Sequence, residues 1–101
     1  MKLEKSERIR SLIKHLQQSF GEGMFKIKDF WEGDLEAIGF SNLEETRLVY
    51  LSTYHLPKGY YISLESGSVN TDKFETVGCY ENTSLEKARS LFAEHLGIKV
   101  I

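Results

Sequence analysis

Leu48-Val49-Tyr50-Leu51-Ser52-Thr53-Tyr54, followed by Leu56-Pro57-Lys58-Gly59 and then Tyr60-Tyr61-Ile62-Ser63-Leu64-Glu65, is the stretch that decides the fold. Successive side chains of a strand point to opposite faces. Val49 and Leu51 therefore share one face, against Leu48, Tyr50, Ser52 and Tyr54 on the other. Tyr60, Ile62 and Leu64 likewise oppose Tyr61, Ser63 and Glu65. Proline followed by glycine between the two runs is turn chemistry, so strands over about 46–54 and 59–66 are predicted to form an antiparallel hairpin. If the aliphatic sets face the core, Tyr50, Tyr54 and Tyr61 lie on the opposite face, with Tyr80 a further candidate there.

The same period extends outward. Strands are predicted over about 24–30 and 34–40, turned by Trp31-Glu32-Gly33-Asp34, and Ser41-Asn42-Leu43-Glu44-Glu45 leads into the hairpin. Beyond the polar segment 67–73, a fifth strand is predicted over 74–80. Its apolar Val77 and Cys79 read as core residues, since unpaired cysteine is commonly buried.

Both ends switch to a helical period. Leu3, Ile9, Leu12, Ile13, Leu16 and Phe20 recur at three- and four-residue spacing over about 3–20, where Gly21 and Gly23 stop the helix. Thr83-Ser84-Leu85-Glu86 has the capping-box form with Thr83 as the cap. Leu85, Ala88, Leu91, Phe92 and Leu96 supply the second stripe, closed by Gly97 and Ile98. The final 98–101 segment either adds a short edge strand or packs down. The expectation is one α+β domain over 1–101 in the order α-β-β-β-β-β-α, with an antiparallel five-stranded sheet and both helices on one face. Its core comprises Leu12, Ile13, Leu16, Val49, Leu51, Ile62, Leu64, Val77, Leu91, Phe92 and Leu96.

Composition narrows the function classes. The 101 residues carry 13 Lys and Arg against 15 Asp and Glu, a formal charge of −2, which offers no basic field to nucleic acid. One cysteine rules out an internal disulfide framework. The charged N-terminus lacks the apolar run of a signal peptide, and no stretch approaches the ~18 apolar residues of a membrane span. A cytoplasmic chain without membrane association is expected.

Candidate chemistry is sparse. His15, His55, His95 and Cys79 show no spacing that builds a metal or nucleophile site, and Gly21-Glu22-Gly23 follows a helix where a phosphate loop follows a strand. No catalytic residue, cofactor or metal is assigned. Glu32, Asp34 and Glu36 crowd one turn, with Asp34 and Glu36 on one strand face. That arrangement suits a solvated edge, a surface for a basic partner, or an acid–base pair.

Phe30-Trp31-Glu32-Gly33-Asp34-Leu35-Glu36-Ala37-Ile38-Gly39, the hairpin strands and the closing Ser84-Leu85-Glu86 helix, taken together over about 25–96, resemble small immunity proteins encoded beside bacterial polymorphic toxins, including contact-dependent growth-inhibition systems. The resemblance implies a cytoplasmic protein that binds a cognate toxin domain and blocks its active site or its access to substrate. Such families are diverse and carry over no fixed binding residues. The residues expected to contact a partner are Trp31, Glu32, Asp34, Glu36, Tyr50, Tyr54, His55 and Tyr61, because aromatic rings beside carboxylates combine contact area with charge. Two alternatives stand beside this reading: a homodimer joined through the tyrosine-bearing face, and a small enzyme or enzyme subunit with an acidic site near Asp34 and Glu36.

Overall fold

A computed structural model describes residues 5–28, 35–53, 58–68 and 73–98. Helix α1 (Glu7–Phe20) is followed by a 3₁₀ turn (Glu22–Met24), strands β1 (Lys26–Ile27), β2 (Ala37–Ser41), β3 (Arg47–Ser52), β4 (Tyr60–Ser68) and β5 (Lys73–Thr83), and helix α2 (Leu85–Leu96). The strands form one antiparallel sheet in the order β1-β2-β3-β4-β5. This is the α+β arrangement expected from the sequence.

Local chemistry sets the helix ends. Ser6 caps α1 by accepting the Ile9 N–H on its Oγ, and the Ser6 N–H donates to the Leu35 carbonyl (2.8 Å), tying the helix start to the approach to β2. Gly21 closes α1 at φ 95°, a left-handed value that suits glycine. Ser84, one residue beyond the predicted Thr83, caps α2 by accepting the Lys87 N–H. Thr83 is instead buried, and its hydroxyl donates to the Tyr60 carbonyl (2.8 Å). Gly97 ends α2 at φ 71°, and the Ile98 N–H reaches the Ala93 carbonyl (2.9 Å) while the Ile98 side chain is buried, a glycine cap with its hydrophobic contact.

The β2–β3 turn is organised by Asn42, whose Oδ1 accepts the Thr46 and Arg47 N–H groups and whose Nδ2 donates to Thr46 Oγ1. Glu45 takes a left-handed φ of 58° there and bridges the ammonium groups of Lys28 and Lys26 on the β1 side. The Lys28 ammonium, followed by that of Lys26, holds the Glu45 carboxyl below its ordinary range.

Cross-strand partners Ile38 and Leu51, Phe40 and Val49, Val49 and Leu64, and Leu51 and Ile62 place the aliphatic set on one face. Both helices bury their stripes against it: Ile9, Leu12, Ile13 and Leu16 from α1, and Ala88, Leu91, Phe92 and Leu96 from α2. Phe92 is fully buried at the centre of an aromatic cluster. Its ring stacks on Phe20 (5.8 Å between centroids) and meets Phe25 (5.1 Å) and Phe40 (5.2 Å) edge to face.

Several boundaries differ from the sequence expectation. Among the described residues the first strand is confined to Lys26–Ile27, because Glu22–Met24 turns as a 3₁₀ helix. Leu35 and Glu36 form a turn before β2 instead of its first residues. β4 and β5 run longer than predicted, since each supplies the other's hydrogen bonds out to Ser68 and Lys73.

The predicted placement of Val77 and Cys79 in the core is corrected. Cys79 lies across from Ser63 on the face turned away from the helices, and its side chain is exposed. Leu64 pairs with Gly78 and Glu65 with Thr76, so Val77 is the extra residue of a bulge and stands 60% exposed. The parity that buries β3 and β4 puts Gly78 and Tyr80 of β5 on the helix side. Tyr80 therefore leaves the far face where it was a candidate.

Candidate functional site

The sheet face opposite the helices carries Ala37, Gly39 and Ser41 from β2, Leu48, Tyr50 and Ser52 from β3, Tyr61, Ser63 and Glu65 from β4, and Cys79 from β5. The small residues sit across the ladder from larger ones, Gly39 from Tyr50 and Ser52 from Tyr61, and are buried. Tyr50 and Tyr61 are half-buried diagonal neighbours whose rings meet edge to face at 5.9 Å between centroids. The Tyr61 hydroxyl is hydrogen-bonded to the Cys79 sulfur, with 2.8 Å between Oη and Sγ. That bond, then burial, pushes the Tyr61 phenol up to about 12. The polar tip of Tyr61 is thereby already engaged within the sheet.

Ser41 Oγ on the same face is buried and has no hydrogen-bond partner among the described residues. Glu65, on the same face but separated from Ser41 by Leu48 of β3, is pushed up from its ordinary range by desolvation. The Glu65 carbonyl accepts a hydrogen bond from His95 Nε2 (2.7 Å), so that ring nitrogen carries the proton. His95 therefore helps fix α2 to the sheet.

Of the expected contact residues, Tyr50 and Tyr61 are brought together. Glu36 is not with them: it is in step with Ile38 and Phe40, on the helix side, where its carboxylate accepts the Thr53 hydroxyl and its carbonyl the Thr53 N–H (2.8 Å). Trp31, Glu32, Asp34, Tyr54 and His55 lie outside the described residues. Cys79 is the member of the cluster that sequence reasoning missed. Counting parity outward from the hairpin would have found it only with the β4–β5 register in hand, and a polar loop hides that register.

Among the described residues no group of three or more His, Cys, Asp or Glu side chains is placed to hold a metal ion. No helix among them is long and apolar enough to cross a membrane. The arrangement defines an α+β two-layer domain with one helix-covered face and one face centred on a tyrosine pair. Comparison with protein-family models, curated proteins and solved structures finds no match to this chain.

Proposed function

We propose that this chain is a cytoplasmic protein-binding module of the immunity-protein kind, which occludes a cognate toxin domain with the face bearing Tyr50 and Tyr61. The observation that supports this most is the edge-to-face tyrosine pair with Tyr61 anchored on Cys79. Binding costs free energy for every side chain that must be ordered, and rings already held by neighbours lose little on association. Tyrosine also gives large contact area from few rotatable bonds, which is why binding energy concentrates on such residues. Trp31, Glu32, Asp34, Tyr54 and His55 join the proposed surface by sequence, and the carboxylates among them would steer a basic partner. Glu36, committed to Thr53, has a positioning part at most.

The test is sequencing the reading frames beside its gene and co-expression with any toxin domain found there, with cell survival and calorimetric affinity as readouts; absence of such a frame counts against the reading. Wild type should protect. Tyr61→Ala, folded by circular dichroism, should bind about 30-fold more weakly, the equivalent of a ~2 kcal/mol anchor. A variant that protects and binds like wild type refutes this face. A doubled mass in solution that Tyr61→Ala abolishes assigns the face to self-association instead.

A further inference from the structure

On the helix side, α2 lies chiefly over β3 and β4, and β5 extends past its cover. A groove of about 360 Å³ runs between α2 and β5. Leu64 and Leu91 form its floor, and Tyr80 of β5 walls one side. These two leucines are buried at 8% exposure, and Tyr80, 40% exposed, supplies the accessible apolar surface here.

Gly78 sits beside two of the groove's lining residues, Tyr80 and Leu64. Gly78 does not occupy a left-handed conformation, so the backbone does not demand glycine. Space does: a Cβ at 78 would lie 3.3 Å from the Tyr80 ring and 3.4 Å from Leu64. Glycine lets the Tyr80 ring lie close along the strand beside Leu64.

The rim is charged in a pattern. Lys87 stands on α2 and its ammonium makes no ion pair with any described residue, while the Arg47 guanidinium is held near the end of α2 by donating to the His95 carbonyl (3.0 Å). Glu94 is the one carboxylate among the described residues that line the groove. Two cations against one anion, in a chain of net charge −2, make this a local exception to the overall acidity. Lys87 and Glu94 are seven positions apart on the helix, about 10 Å, which matches roughly three residues of extended chain.

We infer that this groove binds an extended acidic segment of a partner protein, with an apolar side chain against Leu64, Leu91 and Tyr80 and an adjacent carboxylate between Lys87 and Arg47. Charge complementarity carries the choice of occupant, because an apolar floor alone would not discriminate and the two cations would repel a basic segment. The inference is independent of the tyrosine face, which lies on the other side of the sheet.

The test is panning of a random phage-displayed peptide library against the full chain. Enriched sequences should pair an aromatic or aliphatic residue with Asp or Glu. A synthetic peptide of the consensus should bind Lys87→Glu at least tenfold more weakly than wild type and lose affinity as salt rises. Gly78→Ala, verified folded by its melt, should also weaken it by displacing the Tyr80 ring, whereas Tyr61→Phe should leave it unchanged. Failure to enrich acidic sequences, indifference to Lys87→Glu, or loss of binding in Tyr61→Phe would each overturn the assignment. So would a dimer in solution that Lys87→Glu dissociates, since the occupant would then be a second copy of the chain.

Discussion

Replacing Phe92 with alanine removes the ring on which α2, α1 and the sheet converge. Phe92 is fully buried, and three other phenylalanine rings stand against it at 5.1 to 5.8 Å. The loss combines the transfer energy of the aromatic side chain with a cavity that the three neighbouring rings cannot collapse to fill, and Phe→Ala substitutions of this kind cost about 3–5 kcal/mol. Total stability for a domain of this size is ~5–15 kcal/mol, so the variant should retain a transition but a displaced one. With a urea slope of about 1.5 kcal/mol per M, a loss of ~3 kcal/mol lowers the midpoint by about 2 M. Urea unfolding followed by circular dichroism measures this directly. Val77→Ala is the paired control: at 60% exposure on a bulge it should change stability by less than ~0.5 kcal/mol. A Phe92→Ala loss under ~1 kcal/mol at unchanged slope, or a Val77→Ala loss of equal size, would refute the placement of the core.

Tyr61 should titrate near 12, and Cys79→Ala should return it toward the ordinary value of 10.0, both read by phenolate absorbance. Because the folded phenol holds its proton longer than the unfolded one, stability should fall as pH rises from 10 to about 12, and this segment of the profile should flatten in Cys79→Ala; an unchanged profile would break the pairing. Ser41→Ala should raise stability by about 1 kcal/mol in denaturant melts, since it removes a buried hydroxyl without a partner among the described residues, and a clear loss would show that Oγ is bonded.

Tyr50 and Tyr61 were legible as neighbours because alternation along two hairpin strands puts them on one face whatever else the chain does. Alternation does not say where Glu36 stands relative to them, because it precedes β2 in a turn, and there its carboxylate and carbonyl bond to Thr53. Cys79 and Val77 were read as core because both are apolar and in phase with each other. That inference fails because the β4–β5 register puts Cys79 on the face turned away from the helices and makes Val77 the extra residue of a bulge.

What the sequence determined by itself is what short-range physics controls. This covers the two amphipathic helices, the glycine that closes each, the order of the strands, and the face of β3 and β4 that is buried. Only the tertiary structure decided the Phe20, Phe25, Phe40 and Phe92 cluster, the bulge that turns Val77 out, and the groove beside α2 that Leu64, Tyr80 and Leu91 line. The reason is the range of the forces. Periodicity and capping act over one helical turn or a few strand residues, whereas these features arise where distant segments meet, and there shape, register and helix coverage settle which side chains touch.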